Sequence, residues 1–229
     1  MKFFSNFFFG IIETLIRNIS GPLGLLLRRI YYKIRLKKCG KNLKVSIGVE
    51  IINPSKVQVG DNVWLDDYSI IIAGNYKLTG NKKEIFIIND NFKLNQGDVK
   101  IGNYIHIAPY CILNGFGAGI HIKDDSTLAA AVKIYSATNT YKDRSISKKK
   151  KISMSSKSKN YSVVYYKKPV IIGERSFVSL NTVIICAELG DDVLVKANSV
   201  VLRDVINHSV IVGNPSIVEK SDYNKQSVI

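Results

Sequence analysis

The chain has 229 residues, enough for one large domain or for one domain with an added segment. Its 46% hydrophobic and 22% charged residues allow a buried core and exclude an intrinsically disordered protein. A formal net charge of +15 points to an anionic partner: a phosphorylated ligand, an acidic membrane surface or nucleic acid. Since no nucleic-acid-binding module can be recognised, we expect no nucleic-acid partner.

Residues 1–40 form a first segment, in which two apolar runs precede a cationic cluster. The first run extends from Phe3 to Ile16. It is too short and too interrupted to span a bilayer, and it lacks the small-residue cleavage site of a secretory signal. The second run, residues 23–27, leads into Arg28, Arg29, Lys33, Arg35, Lys37 and Lys38. The pattern predicts an amphipathic segment on the anionic inner face of a membrane or a helix that covers one end of the core, and one segment could do both.

Residues 41–217 are organised by aliphatic residues that recur every six positions. The recurring sets are Val59, Leu65 and Ile71; Ile101, Ile107 and Leu113; Ile122, Leu128 and Ile134; Ile172, Val178 and Ile184; and Leu189, Val195 and Val201. Neither an α-helix nor an alternating strand has this period. It predicts an all-β solenoid, a parallel β-helix in which three six-residue units complete one triangular coil. The aliphatic residues then point to the axis, and glycine or asparagine takes the sharp turns.

Three segments interrupt the repeat and are predicted to leave the solenoid. Residues 74–98 are an extension or an irregular coil, and residues 114–119 form a glycine-rich bend. Residues 139–168 form a protruding loop that carries four consecutive lysines, 148–151. Such loops commonly carry the function or the interfaces of a solenoid, although the lysine run is explained as well by solvation. The polar residues 218–229 are predicted to form a C-terminal tail.

Three cysteines, Cys39, Cys111 and Cys186, are widely spaced along the chain. An odd, scattered set indicates neither a disulfide framework nor a zinc site. Reduced, buried thiols are typical of a cytoplasmic protein, which is the location we expect.

Several stretches resemble the hexapeptide-repeat acyltransferases. Residues 178–184, 189–201 and 212–215 are similar to the C-terminal signature of that family. Residues 38–42, 59–68, 105–109 and 134–136 resemble its branch of bacterial polysaccharide and sugar O-acetyltransferases. The similar region extends from about residue 20 to 217. It is specific for the fold and less specific for the substrate.

The resemblance implies a left-handed β-helix, a homotrimer, and acetyl-CoA lying in a groove between two subunits, with no metal. It predicts an acetyl-CoA-dependent O-acetyltransferase acting on a sugar of a surface polysaccharide or of a lipid-linked glycan precursor. Two alternatives stay open. One is N-acetylation of a nucleotide-linked amino sugar, and the other is a non-catalytic β-helix that binds a membrane or partner proteins.

Direct acyl transfer needs a base, and histidine is suited to that role near neutral pH. Many members of this family have a histidine after the Tyr-Ser stretch, where this chain has Asn139 and Thr140, which cannot accept the proton. We therefore expect His106 to be the base, with His121 as the alternative and His208 as a surface residue. The carboxylates that could orient the histidine are Asp66, Asp67, Asp124 and Asp125.

For the CoA, the resemblance points to the last coils. Ala197 and Asn198 match the small-residue turn along which the pantetheine arm passes. Lys196 replaces the usual glycine, and Arg203 matches a cationic position suited to a phosphate. The chain is one residue short between Ile185 and Leu189, which changes the expected groove there.

Overall fold

The computed structural model of the chain describes residues 2–74, 83–88, 97–140 and 162–219. Two helices open the described part, α1 (Lys2–Arg17) and α2 (Gly21–Arg35). A short 3₁₀ helix, Pro54–Lys56, is the third helical element of the described residues, and the others are strands.

Most of the strands form three sheets, which are the three faces of a solenoid. The first sheet contains, in stacking order, Lys38–Cys39, Val57–Val59, Val99–Ile101, Ile120–Ile122, Val170–Ile172 and Glu188–Leu189. The second contains Lys44–Val45, Trp64–Leu65, His106–Ile107, Thr127–Leu128, Phe177–Val178, Leu194–Val195, Val210–Val212 and Ile217–Glu219. The third contains Glu50–Ile52, Ile70–Ile72, Ile112–Asn114, Lys133–Tyr135, Val183–Ile185 and Val200–Val201. Neighbouring strands are parallel except the last pair, in which Ile217–Glu219 runs antiparallel to Val210–Val212.

The chain visits the three sheets in turn, so each pass is one coil, and six coils carry a strand in every sheet. The aliphatic residues of the six-residue period pair directly between coils, as Ile101, Ile107 and Leu113 do with Ile122, Leu128 and Ile134. Every member of the five sets is at most 2% exposed, because all of them point to the axis. The parallel β-helix predicted from this period is confirmed.

The turns between sheets differ from the expectation that glycine or asparagine takes them. Asparagine has a positive φ at Asn42, Asn62, Asn181 and Asn198. Larger residues do so as well, namely Tyr68, Tyr104, Tyr110, Arg175 and His208. The left-handed conformation costs such residues about 1–2 kcal/mol each, and the hydrogen-bonded coils on either side keep them in it.

The glycines that follow the axial residues of the first sheet have a different reason to be there. They do not have positive φ values, but a Cβ atom on Gly60 would lie 2.5 Å from Gly102 O, and one on Gly173 would lie 2.1 Å from Gly190 O. The first corner of each coil therefore contacts the next coil backbone to backbone.

Two of the interrupting segments meet in a small separate sheet. Ala137–Thr140 pairs antiparallel with Ser162–Lys167, which in turn pairs in parallel with Lys83–Ile88. The stems of the loop at 139–168 are therefore strands, and they join the excursion after the second coil to the excursion after the fourth. The lysine run at 148–151 and the tail from residue 220 lie outside the described residues.

Helix α2 lies across the open end of the first coil and packs on its strands. Arg28 is 1% exposed and donates to the carbonyl oxygens of Ile16 at the end of α1, of Ile19 in the connection between the helices, and of Val45. The Tyr32 hydroxyl lies within hydrogen-bond distance of Val49 O. No helix among the described residues is both long and apolar enough to cross a membrane.

Candidate active site

His106 lies on the outer surface of the second sheet, in the third coil. Its neighbour Ile107 fills the axis, so the alternation of the strand turns the imidazole outward. In the same register position, Trp64 lies in the coil before it and Thr127 in the coil after it. The side chain is 36% exposed, which leaves part of the ring accessible to a ligand.

The ring of His106 is held by a carboxylate from the neighbouring coil. Its Nε2 atom lies 3.2 Å from Asp66 Oδ2, and the Asp66 side chain is only 13% exposed. The other carboxylate oxygen, Oδ1, accepts a hydrogen bond of 2.9 Å from the backbone N–H of Asp67. Because a carboxylate can only accept, the neutral imidazole that pairs with it carries its proton on Nε2. The lone pair for accepting a proton is then on Nδ1.

The stacked indole of Trp64 fixes the plane of this imidazole. The Trp64 ring lies 4.5 Å from the His106 ring at an angle of 20°, and Lys44 Nζ lies 3.4 Å from the centre of the indole on its other side. The indole N–H donates to Ser46 Oγ at 2.9 Å. Sequence reasoning missed this column, although Lys44, Trp64 and His106 all directly precede a buried aliphatic residue of the second sheet.

His121 is in a different environment, because it lies on the first sheet. It lines a cavity of about 490 Å³ together with Lys38, Lys100, Lys123 and Asn103. Burial, with Lys100 and Lys123 nearby, lowers the pKa of His121 to about 4. Asn103 occupies both oxygens of the Asp124 carboxylate, through its backbone N–H and its side-chain amide. His121 is therefore a weak base, and it lies on a different face of the solenoid from His106.

Two further features lie away from His106. The glycine-rich bend at 114–119 connects the third sheet to the first, so it is at the corner opposite the face of His106. Its Gly119 N–H donates to Ser136 Oγ and its Gly117 N–H to Gly74 O, which uses these amides within the fold. His208 is 69% exposed, with Nδ1 3.6 Å from Asp192 Oδ2, at the far end of the solenoid.

Asn139 and Thr140, which replace the usual histidine, are in the strand Ala137–Thr140 of the small separate sheet. Their backbone pairs with Tyr165 and Val164. This position therefore lies outside the face that carries His106.

The residues expected to contact CoA cluster at the last complete coil. Lys196, Ala197 and Asn198 form the exposed turn after Leu194–Val195, so they border the same sheet as His106. Three coil steps, or about 14 Å along the axis, separate them from His106. Asn198 has a φ of +59° and accepts a hydrogen bond of 2.8 Å from the Asn181 side chain.

Arg203 is exposed two residues beyond the strand Val200–Val201. The neighbouring Asp204 forms an ion pair with the buried Lys168, which also lies 3.5 Å from Glu188. The axial residues Ile184 and Leu189 are five positions apart and not six, and the shortened connection includes Cys186 at a φ of +51°. These contacts fix the backbone next to Arg203.

Cysteine chemistry does not compete with the histidine in the described part of the chain. Burial raises the pKa of Cys111 and of Cys186 to about 11, so both thiols are protonated at neutral pH. Residues 2–74, 83–88, 97–140 and 162–219 also contain no cluster of three His, Cys, Asp or Glu side chains able to hold a metal ion.

Known proteins similar to this chain are sugar acyltransferases. A dTDP-4-amino-4,6-dideoxy-D-glucose acyltransferase from Escherichia coli is 28% identical over 185 residues, which cover 80% of this chain and 72% of that enzyme. A point mutant of AntD, an N-acyltransferase from Bacillus cereus, was solved in complex with dTDP and coenzyme A. It superposes with a TM-score of 0.64 at 25% identity, over 85% of this chain and 89% of that one.

A maltose O-acetyltransferase from Clostridium difficile 630 superposes with a TM-score of 0.54 at 20% identity, over 93% of this chain and 83% of that one. No protein-family model matches the chain. The superpositions confirm the left-handed β-helix, and the homologues confirm the resemblance to acyltransferases that use CoA thioesters and sugar acceptors.

Proposed function

We propose that this chain, a homologue of the hexapeptide-repeat sugar acyltransferases, transfers an acetyl group from acetyl-CoA to a hydroxyl group of a glycan, with His106 as the general base. The observation that carries the proposal is the pair of His106 and Asp66, 3.2 Å apart on an accessible face of the solenoid. A sugar hydroxyl is almost fully protonated at neutral pH. Its attack on the thioester is therefore faster when a base removes the proton as the new bond forms.

In the proposed reaction, the acceptor oxygen attacks the carbonyl carbon of the thioester while His106 Nδ1 takes its proton. Asp66 stabilises the imidazolium that forms, because its carboxylate faces the proton on Nε2. The C–S bond then breaks, and the proton on Nδ1 passes to the departing sulfur. The products are the O-acetylated sugar and CoA with a free thiol, and His106 is neutral again.

The last complete coil offers groups that fit the CoA. Lys196 is an exposed cation at the edge of the face of His106, and the turn of Ala197 and Asn198 lets an extended arm approach the backbone. Arg203 is a second exposed cation suited to a phosphate, and it lies at the corner between the third and the first sheet. The distance of about 14 Å along the axis between this turn and His106 requires an elongated donor that lies along the solenoid. Acetyl-CoA has that shape, with its thioester at one end.

A second candidate is acyl transfer to the amino group of a nucleotide-linked sugar. The relatives favour it, because the Escherichia coli enzyme is named for a dTDP-linked amino sugar and AntD is an N-acyltransferase solved with dTDP. The cationic groups around the cavity of the first sheet, Lys38, Lys100 and Lys123, would suit the diphosphate of such an acceptor.

One experiment tests the base and separates the two acceptors. The full chain and the variants His106→Ala and His208→Ala are compared for release of free CoA thiol from acetyl-CoA. The acceptors are a nucleotide-linked 4-amino sugar, its 4-hydroxyl counterpart and an oligosaccharide of the surface glycan. We expect transfer to a hydroxyl acceptor and a loss of about 10²–10⁴-fold in kcat for His106→Ala, with His208→Ala unchanged. Turnover of the amino acceptor alone, at a rate that His106→Ala does not lower, would establish the second candidate.

We also infer that the active form is a homotrimer. The last coils expose large apolar side chains, namely Phe177, Leu180, Leu202 and Ile206, which are 43–78% accessible in the single chain. Burial between subunits would remove this area from water. Sedimentation equilibrium should give three times the chain mass of 25.6 kDa, and a monomeric mass would contradict the proposal.

We propose a cytoplasmic location, because the proposed reaction needs acetyl-CoA, which is available there. Three unpaired cysteines support the same location, since a reducing compartment preserves free thiols. Cell fractionation that recovers the protein from the periplasm or the medium would contradict this proposal.

A further inference from the structure

Both N-terminal helices carry two apolar faces, of which only one is packed. Helix α1 turns Phe9, Ile12 and Ile16 toward α2 and the core. Its outer face, which adjoins the packed one, exposes Phe7, Phe8, Ile11 and Leu15, each 47–68% accessible. A shallow apolar depression runs along this outer face between Phe7 and Leu15.

Helix α2 repeats this arrangement. Its buried face carries Gly24, Arg28, Tyr31 and Tyr32. Its outer face exposes Leu23, Leu26, Ile30 and Ile34, each 50–67% accessible. A helix that only covered the end of the solenoid would need one apolar face, so the second face requires another partner.

Cations accompany the outer faces, and carboxylates do not. Residues 1–38 contain eight lysines and arginines and one carboxylate, Glu13. Glu13 is turned inward, where it accepts hydrogen bonds from the hydroxyls of Tyr31 and Tyr32 and from Arg17. Arg29 and Lys33 are exposed on α2, and Lys37 and Lys38 are exposed directly after it.

We infer that helices α1 and α2 dock on an anionic lipid surface. Their outer apolar residues would enter the boundary between headgroups and acyl chains, while Arg29 and Lys33 remain with the anionic headgroups. A second copy of the chain fits the surface less well, because self-association would bring Arg29 and Lys33 of two subunits toward each other. The docking surface lies on the helices, so the three sheets and His106 stay uncovered when it is occupied.

The test is co-sedimentation of the full chain with vesicles of phosphatidylcholine, with and without phosphatidylglycerol. We expect binding only to the vesicles with phosphatidylglycerol, and its loss at high ionic strength. The double variant Arg29→Gln, Lys33→Gln should bind roughly twentyfold more weakly or worse, since each juxtamembrane cation contributes about fivefold. Its matched control, Lys41→Gln with Lys56→Gln, should bind as the unchanged chain does.

A second pair of variants tests the apolar contribution. Leu26→Ser with Ile30→Ser should weaken binding roughly tenfold or more. The control, Ile217→Ser with Val218→Ser, changes two exposed residues at the opposite end of the solenoid and should have no effect. The circular dichroism of every variant should match that of the unchanged chain.

Two outcomes overturn the inference. One is failure of the full chain to bind vesicles that contain phosphatidylglycerol. The other is a smaller particle mass in solution for Leu26→Ser with Ile30→Ser, which would make the helical surface an interface between copies of the chain.

Discussion

The two carboxylate oxygens of Asp66 have different partners, so Asp66 contacts the candidate base through only one of them. The backbone N–H of Asp67 holds Oδ1, and this contact turns Oδ2 toward His106. Trp64 blocks one side of the imidazole plane, so the ring cannot tilt away from the carboxylate. The residues around His106 thus fix both the tautomer and the direction of its free lone pair.

The variant Asp66→Asn tests this asymmetry. A carboxamide can donate a hydrogen bond to Nε2, which moves the imidazole proton to Nδ1 and removes the acceptor lone pair. We expect kcat to fall by about 10²–10⁴-fold, with an unchanged KM for acetyl-CoA. Steady-state kinetics at several pH values measures both constants. The control, Asp67→Asn, changes the neighbouring carboxylate, and an equal loss there would show that Asp66 has no special role.

The lowered pKa of His121 leads to a prediction about stability and not about catalysis. Its pKa is lowered to about 4 in the folded chain, so the unfolded chain binds the proton more tightly. This contribution is complete above the unfolded pKa of about 6.5 and is lost as the pH falls toward 4. We expect His121→Gln to lose less stability than the unchanged chain between pH 7 and pH 4.5. Urea denaturation at the two pH values measures the difference.

The matched variant for this titration is His208→Gln, which removes an exposed histidine. If His121→Gln and His208→Gln behave alike, the acid sensitivity comes from other groups.

The sequence predicted His106 as the base but could not choose its partner among four carboxylates. Asp66 and His106 are 40 positions apart in the sequence, and they become neighbours because the strand Trp64–Leu65 pairs directly with His106–Ile107. The length of the segment between these two strands is not encoded in the six-residue period. For the same reason, Lys44, Trp64 and His106 are unevenly spaced in the sequence, so a search for residues at one fixed spacing does not find this column.

At the scale of single elements, the six-residue period predicts the axial positions well and the turns poorly. The axial positions follow from hydrophobic burial, which the sequence displays directly. Tyr68 and Tyr110 both lie in turns and have positive φ values, and their two rings stack 5.7 Å apart at an angle of 5°. Contacts between coils therefore select turn residues that the conformational preference of one residue does not predict.

The glycines at the first corner yield a prediction of their own. In Gly173→Ala, the added Cβ would lie 2.1 Å from the oxygen and 2.2 Å from the carbonyl carbon of Gly190, and backbone atoms in a stacked coil cannot move aside. We expect this variant to be less stable by about 2–3 kcal/mol. Gly10→Ala is the control, because its Cβ meets nothing within 4 Å and alanine favours a helix interior. Thermal denaturation should place the two variants on opposite sides of the unchanged chain, and equal melting temperatures would contradict the close contact.

At the scale of the whole molecule, the ends of the solenoid are its weak points, because each coil is stabilised by its neighbours on both sides. The last strand of the second sheet closes one end by folding back antiparallel as Ile217–Glu219. At the other end, Lys44–Val45 is an edge strand with no coil before it. Helix α2 covers this end, and Arg28 donates one hydrogen bond to the edge strand, at Val45 O.

The cap at this end can be tested with Arg28→Met, which keeps much of the side-chain volume and removes the donors. Arg28 donates to four backbone carbonyls. Those of Val45 and Ile19 lose their donor in this variant. Those of Ile16 and Arg17 keep backbone partners. We expect a loss of about 3 kcal/mol in the free energy of unfolding, whereas Arg29→Met on the exposed side should change it by less than about 0.5 kcal/mol. Hydrogen exchange locates the effect: the first coil should exchange faster in Arg28→Met, while the coil of His106 stays protected. Uniformly faster exchange in all coils would mean that the solenoid unfolds as one unit and that the end cap has no separate role.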